Sequence, residues 1–323
     1  MLRVQNIMSK QIYICHDFTR NQKMFNLSKN FKSIIKKKFR NINFVEYKKE
    51  SKKIKMCQIY WGDLISENRV SNLKNLQWIH LASSGIDKLN NIGIKSIKVS
   101  NSKGIMTEAV SNTVISYIFY FTRGIGHLIN LRNKKKLDRV NFNKNFDELK
   151  ILSDCSFLIF GNGSISKEMV KFLKTFSKNV SVVSKRETLK IKKKSKLKLN
   201  NFDFIINLLP KNNFLVNFFD YNFFKLMNKK SYFINVGRGD AVNEEKLYTA
   251  LKQKIIKGAA IDVFKEEPLK KTNKLLKLKN CFISPHTAGW YKSYWSHQTN
   301  LFMYNLNCFM KKKKFKNQIY NVN

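Results

Sequence analysis

The chain has 323 residues, with 62 Lys and Arg against 21 Asp and Glu and a formal net charge of +41. That length allows two domains with sizeable cores, and no run approaches eighteen uninterrupted apolar residues, so a membrane span is not expected. The lysine clusters at 36–38, 134–136, 192–198 and 311–314 are scattered and carry no interleaved aromatic pattern, so the charge reads as an A·T-rich codon bias, and no specific nucleic-acid partner is expected.

The N-terminus, Met1-Leu2-Arg3-Val4-Gln5-Asn6-Ile7-Met8, lacks the apolar core of a secretory signal, and either Met1 or Met8 can be read as the start. Short apolar runs at 12–15, 42–47, 58–61, 78–81 and 97–99 alternate with polar helical stretches, the βα rhythm of a small open parallel sheet. After the fourth run, Ala82-Ser83-Ser84-Gly85-Ile86-Asp87 reads as a strand-to-helix turn capped by Ser84 or Asp87. An apolar helix is predicted from Thr107 through Arg123, as a bridge between domains or as a core helix. A second βα rhythm begins at Phe157 and continues through 180–183, 204–208, 232–236, 259–263 and 282–284, and a helix follows from about Ala288. The expected class is α/β, with two Rossmann-like or flavodoxin-like domains built on doubly wound parallel sheets. The nucleotide domain, 107–287, is inserted into a substrate domain formed by 1–106 and 288–323. Cysteines at 15, 57, 155, 281 and 308 form no Cys-x-x-Cys pair; they read as reduced thiols of a cytoplasmic protein, and no metal is expected.

The strand-like Phe157-Leu158-Ile159-Phe160 runs into Gly161-Asn162-Gly163-Ser164-Ile165-Ser166 and then a helical pattern, the context a dinucleotide fingerprint needs. Gly161 permits the tight turn and Gly163 the close approach of a pyrophosphate to a helix N-terminus; Ser166 stands at the third glycine position. At the end of the next strand, where an acidic residue would hold an adenosine ribose, stand Ser184, Lys185 and Arg186. That sequence predicts NADP(H) in preference to NAD(H), with Ser184 and the Lys185/Arg186 pair holding the 2′-phosphate and Glu187 nearby weakening the case.

Three later segments each follow an apolar run and deliver one ionisable residue: Arg238 in Ile234-Asn235-Val236-Gly237-Arg238-Gly239, Glu267 in Asp262-Val263-Phe264-Lys265-Glu266-Glu267-Pro268, and His286 in Ser284-Pro285-His286-Thr287-Ala288-Gly289. A guanidinium fork grips a carboxylate, an imidazolium gives a proton to a carbonyl oxygen, and a carboxylate holds that imidazole and raises its pKa. Together they form a kit for reducing a 2-oxo acid. His16, His80, His127 and His297 have no acidic partner at motif spacing and read as structural.

From about Leu73 to the C-terminus, these residues resemble the D-isomer-specific 2-hydroxyacid dehydrogenases. The likeness is strongest in Phe233 to Gly239, Gly258-Ala259-Ala260-Ile261-Asp262-Val263-Phe264, Glu267-Pro268 and Ser284-Pro285-His286. The resemblance implies that Arg238 binds substrate, Glu267 partners the histidine and His286 is the acid/base. It implies cofactor contacts at Gly161, Asn162, Gly163, Ser164 and Ile165, at Leu209 and Pro210, at Val236 and Gly237, and at Asp262 near the nicotinamide carboxamide. Asn212 stands where the family commonly has threonine. Ser84 and Gly85 look like the family's loop whose N–H groups meet the substrate carboxylate, and Trp290 is a candidate pocket wall or packing residue. The segment from Pro285 to Trp295 resembles the glyoxylate/hydroxypyruvate reductase branch, and glutamate before Pro268 argues against a formate dehydrogenase. The family also implies a homodimer joined through the nucleotide domain, its apolar interface expected at 114–121 or its neighbours. A nucleotide-sensing or nucleic-acid-binding protein on a dehydrogenase-like scaffold is the alternative.

Overall fold

The computed structural model describes residues 11–18, 29–49, 51–89, 92–93, 96–144, 146–191 and 198–320. The candidate starts Met1 and Met8 and most of the 192–198 lysine run lie outside them. The chain divides into two compact units, Met1–Met106 with Trp290–Asn323, and Thr107–Gly289.

The first unit begins with β1 (Ile12–Asp17), α1 (Lys29–Lys38), β2 (Ile42–Glu46), β3 (Ile59–Gly62), α2 (Glu67–Ser71), β4 (Trp78–Leu81) and β5 (Lys98–Ser100). β3 and β4 are buried at every residue, which is why they read as unbroken apolar runs instead of alternating ones.

The second unit opens with α3 (Thr107–Thr122), α4 (Ile125–Asn133) and α5 (Arg139–Asn143). It continues through β6 (Phe157–Phe160), α6 (Ser164–Leu173), β7 (Val180–Val183), α7 (Lys185–Lys190), β8 (Phe204–Asn207), α8 (Tyr221–Lys225), β9 (Tyr232–Asn235), α9 (Glu244–Lys252), β10 (Gly258–Ile261) and β11 (Cys281–Ile283). All six strands are parallel in the order β7-β6-β8-β9-β10-β11. The sheet is a doubly wound one whose order reverses between β6 and β8, the place where such sheets bind ligands beyond their carboxyl ends. One face is an aromatic layer of Phe160, Phe219, Phe223, Phe224 and Phe233, and the other packs Phe157, Ile159 and Phe204 under α3 and α6. Val114, Tyr117 and Ile118 are buried in that second layer. These three are therefore core residues of this unit, while Ile115, Phe119, Tyr120 and Phe121 are only partly buried. Ile125, Leu128, Ile129, Leu137, Val140 and Phe146 are all exposed.

The chain returns to the first unit with α10 (Tyr294–Met310) and β12 (Gln318–Ile319). That unit's sheet has the order β2-β1-β3-β4-β5-β12, parallel except for the two-residue β12. α10 covers one face by laying Phe302 flat on Trp61, with centroids 3.9 Å apart and planes at 4°, and within 5.3 Å of Trp78. No helix among the described residues is long and apolar enough to cross a membrane.

Candidate active site

Every expected cofactor and catalytic residue of the second unit falls at the carboxyl edge of its sheet. After β6, Gly161 has φ +108°, a backbone that L side chains rarely adopt, and a Cβ there would come within 3.0 Å of the Leu208 carbonyl. Gly163 is the N-cap of α6, no side chain caps that helix, and nothing lies within 4 Å of where its Cβ would be. Open space over an uncapped helix N-terminus, with Asn162 exposed beside it, fits a dinucleotide pyrophosphate. Ser164 and Ile165 form the first turn, and the Ser164 hydroxyl accepts a hydrogen bond from Thr107 Oγ1 at 3.1 Å. Ser166 is buried.

After β7, Ser184 caps α7 in a capping box: its Oγ accepts the Glu187 N–H at 3.2 Å and Glu187 Oε2 accepts the Ser184 N–H at 2.7 Å. The hydroxyl expected for a cofactor phosphate is thus already engaged with Glu187 in the capping box. Glu187 is held below the usual carboxylate range by its hydrogen bonds to Ser184. It puts a negative charge beside Lys185, which is half-buried, and Arg186, which is exposed. After β8, the Leu209 side chain is buried in the core and Pro210 is exposed. Asn212 caps a short turn by accepting the Phe214 N–H, so the missing threonine is replaced by a residue with a local structural duty.

Arg238 follows β9. Its Nη1 donates to the Gly237 carbonyl at 2.8 Å, and Val236 and Gly237 precede it against the loop after β8, where a Cβ on Gly237 would meet the Leu209 carbonyl at 2.7 Å. Gly239 packs against the backbone of the next crossover so closely that a Cβ would sit 1.9 Å from the Phe264 carbonyl carbon. That approach draws Arg238 toward Glu267. The Glu267 carboxylate accepts the Phe264 N–H at 3.0 Å through Oε1 and meets His286 Nδ1 at 2.7 Å through Oε2.

His286 has φ +55°, the left-handed region that a branched or bulky residue avoids. The conformation is enforced from below by Asp262, which is almost wholly buried. Its carbonyl accepts the His286 N–H at 2.8 Å. Its carboxylate accepts the Ser284 hydroxyl at 2.6 Å and the N–H groups of Thr287 and Ala288 at 2.9 and 3.1 Å. Tyr117 on α3 extends the chain by donating to Ser284 Oγ at 2.6 Å, and Thr113 donates to the Ala288 carbonyl. Asp262 therefore builds the histidine turn, a duty that its expected place near a nicotinamide did not suggest.

The hydrogen bond that His286 donates to Glu267 raises the His286 pKa, and the charges of Glu267 and Asp262 add to it against burial and the Arg238 charge. Burial pushes Glu267 up, but its hydrogen bonds from His286 and Phe264 and the charges of His286 and Arg238 bring it below its ordinary value. A histidine with a raised pKa, a carboxylate and a guanidinium thus fall on one sheet edge, which also carries the uncapped N-terminus of α6.

This site lies inside a region that matches a known family: a model of the "D-isomer specific 2-hydroxyacid dehydrogenase, NAD binding domain" matches residues 115–288. The chain belongs to the D-isomer specific 2-hydroxyacid dehydrogenase family. It is accordingly an NAD(P)-dependent oxidoreductase of 2-hydroxy acids. A probable 2-ketogluconate reductase of Dictyostelium discoideum is 28% identical over 236 residues, 69% of each chain. The glyoxylate reductase/hydroxypyruvate reductase of Mus musculus is 29% identical, over 67% of this chain and 68% of its own. Among solved structures, a family member from Aeromonas salmonicida superposes with a TM-score of 0.79 at 20% identity, covering 96% of this chain and 99% of that one. The NADPH-dependent glyoxylate/hydroxypyruvate reductase of Sinorhizobium meliloti, in complex with NADP and sulfate, gives 0.77 at 15% identity, covering 96% and 98%.

The first unit holds the remaining candidates. Ser84 is exposed and Gly85 partly so, in the loop after β4, and Trp290 is 40% exposed. The other histidines have structural partners: His80 is wholly buried against Ser100 Oγ at 2.8 Å, His16 meets Lys32 Nζ, His127 the Asn141 carbonyl and His297 the Tyr291 hydroxyl. Tyr117 and Thr113 were not expected at the site, and Ser284 was quoted in the histidine motif without a role of its own. A hydroxyl following an apolar strand and a tyrosine in an apolar helix carry no spacing signal that joins them.

Proposed function

We propose that the protein reduces a small 2-oxo acid of the glyoxylate or hydroxypyruvate type to the D-2-hydroxy acid, using NADPH in preference to NADH. The observation that carries this reading is the 2.7 Å His286–Glu267 pair at the sheet edge that also bears Arg238. A bound reduced nicotinamide supplies a hydride from C4 to the keto carbon. Glu267 takes the Nδ1 proton of His286 as a hydrogen bond, which fixes the ring and leaves the Nε2 proton to pass to the developing alkoxide oxygen. Arg238 grips the carboxylate and the carbonyl oxygen with its fork, orienting the carbonyl and stabilising the negative charge that develops. In the first unit, Ser84 and Gly85 are proposed to donate their N–H groups to a substrate carboxylate, and Trp290 to wall a substrate pocket.

The cofactor reading assigns the pyrophosphate to residues 161–165, with Leu209, Pro210, Val236 and Gly237 lining the nucleotide and Asp262 beneath the nicotinamide. Lys185 and Arg186 favour a 2′-phosphate at the end of β7. The glyoxylate/hydroxypyruvate choice is supported by the mouse relative and by a 46% identical segment of 68 residues in the human glyoxylate reductase/hydroxypyruvate reductase. On the same reading, 107–287 is the nucleotide domain and the rest the substrate domain. The protein acts as a homodimer through the exposed apolar surface of residues 125–146, in the cytoplasm, where its five free cysteines stay reduced.

Steady-state assays with glyoxylate, hydroxypyruvate and 2-ketogluconate, each with NADPH and NADH, test the proposal. Absence of turnover on all three overturns the activity; better turnover of 2-ketogluconate overturns the substrate; equal or better use of NADH overturns the cofactor preference.

A further inference from the structure

The loop after β4 contains a polar arrangement that the proposed carboxylate contact does not itself explain. Each backbone carbonyl from Leu81 to Gly85 already has a donor. Ser102 Oγ lies 2.7 Å from the Leu81 carbonyl. The Ala82 carbonyl takes two donors from α10, Tyr294 Oη at 2.8 Å and Gln298 Nε2 at 2.7 Å. The Ser83 carbonyl takes the Ser102 N–H at 3.0 Å, the Ser84 carbonyl takes Asn101 Nδ2 at 2.7 Å, and the Gly85 carbonyl takes Ser83 Oγ at 3.0 Å. By contrast, the N–H groups of Ser83, Ser84 and Gly85 find no protein acceptor among the described residues. The loop has therefore turned all of its acceptors inward and kept its donors for something outside, the polarity an anion requires.

Gln298 is the centre of this arrangement. It is fully buried, an unusual place for a primary amide unless every polar atom is satisfied. One Nε2 proton goes to Ala82 and the other to Tyr294 Oη at 2.7 Å, and Oε1 lies 2.9 Å from Ser102 Oγ, whose one proton it shares with the Leu81 carbonyl. Tyr294 is just as buried, and burial pushes its phenol well above the ordinary range, so it remains a neutral donor at any working pH. Two side chains one helical turn apart thus converge on one carbonyl. A single donor would satisfy that carbonyl; two fix its direction, and with it the peptide planes that follow.

We infer that Gln298 and Tyr294 are positioning residues for substrate: by clamping the Ala82 carbonyl inward they hold the Ser84 and Gly85 N–H groups in the orientation that receives the 2-oxo acid carboxylate. This rests on the function proposed above, and it deepens that reading by assigning the specificity for a carboxylate partly to two buried side chains of α10. Gln298 lies outside the segments that carry the family resemblance, and Tyr294 lies near the end of the Pro285 to Trp295 segment. The clamp is made only when the returning helix docks beside β4.

The test uses full-length protein carrying Gln298→Met, which keeps the volume and removes the amide, and Tyr294→Phe, which removes one oxygen and keeps the ring. The expected result is a rise in KM for glyoxylate or hydroxypyruvate of about five- to tenfold in each, the scale of one lost hydrogen bond. The KM for NADPH and the kcat at saturating substrate stay within about twofold. The inhibition constant of oxamate, a carboxylate that mimics the 2-oxo acid, should rise in parallel. A purely structural role predicts the opposite split: a lower melting temperature and a reduced active fraction, hence a lower kcat, with KM unchanged. That split in a folded variant overturns the inference. If Gln298→Met does not fold, Tyr294→Phe decides alone, because it changes one buried atom. Wild-type protein that reduces no 2-oxo acid overturns the proposed function and this inference with it, whereas wild-type turnover with both variants unaltered in KM overturns the inference alone.

Discussion

His286 Nδ1 lies 2.7 Å from Glu267 Oε2, and the two residues shift each other in opposite directions, the histidine upward and the carboxylate downward. Reduction needs the imidazolium, so its rate should be highest at low pH and fall as pH rises through the raised pKa of His286. In Glu267→Gln the supporting charge is gone, and the fall should move to lower pH. The pH profile of kcat/KM for the two proteins checks this; an unmoved limb removes Glu267 from the mechanism. His286→Ala should lower kcat by about 10² to 10⁴ with cofactor binding retained, the usual cost of losing a general acid.

The same pair makes a smaller prediction for stability. The raised pKa of His286 contributes stability that is full below the unfolded value of about 6.5 and is lost as pH rises through the folded one. The depressed Glu267 contributes stability present above its unfolded value of about 4.3 and lost as pH falls through the folded one. Their joint effect is therefore greatest between about pH 4.3 and 6.5. Because the His286 side chain is 54% exposed and that of Glu267 36%, the pair should contribute no more than about 1 kcal/mol. Thermal melts of Glu267→Gln across that range should differ from wild type by only a few degrees.

Arg238→Ala should nearly abolish reduction while raising the KM for the 2-oxo acid, because the fork holds the carboxylate in the ground state as well as the carbonyl in the transition state. Arg238→Lys should recover little of either, since an ammonium cannot make two parallel bonds. Recovery to within a few-fold of wild type would show that only the charge matters. The position depends on Gly239, where a Cβ would fall 1.9 Å from the Phe264 carbonyl carbon. Gly239→Ala should cost at least about 1–3 kcal/mol by overpacking and should lower kcat/KM by separating Arg238 from Glu267. A melting curve together with the assay separates this variant from a surface substitution.

The strands were legible because β3, β4, β6, β8 and β10 are buried along their whole length, so each reads as an apolar run with turn residues at its ends. Two-residue β12 was not, since its pairing with β5 is set by where the docked α10 releases the chain and not by any local pattern. The three ionisable residues were legible for a related reason. Each follows a strand, and parallel strands bring their carboxyl ends to one edge. What stayed hidden was the support beneath them. Tyr117 meets Ser284 across 167 positions of chain, and Gln298 meets Ala82 across 216. Nothing in spacing encodes those contacts. Asp262 was singled out as a cofactor contact, and the hydrogen bonds it accepts give it a structural duty in the turn that carries His286.

Cofactor preference should respond to two substitutions in opposite senses. Lys185→Ala with Arg186→Ala removes the cations beside the expected 2′-phosphate and should raise the KM for NADPH about tenfold, leaving that for NADH unchanged. Glu187→Gln removes a carboxylate held ionised by its hydrogen bonds to Ser184, and it should lower the KM for NADPH, since the amide can keep the capping geometry without repelling phosphate. Parallel changes for both nucleotides would place these residues away from the 2′ position.

Assembly gives the last test. Ile125, Leu128, Ile129, Leu137, Val140 and Phe146 expose between 36% and 76% of their surface within twenty-two positions of chain, a concentration that a solitary subunit would rarely leave to water. A net charge of +41 opposes association of two copies, and screening of exposed charge sets in over about 10 Å at 0.1 M salt. The dimer should therefore tighten as salt rises, the reverse of what a polar interface would do. Light scattering at physiological salt should give twice the 38.1 kDa chain mass. Val140→Asp with Phe146→Asp should give the single-chain mass without altering the melting transition of the folded unit. A wild-type mass near 38.1 kDa at micromolar concentration, or a double variant that remains dimeric, would remove this surface from the interface.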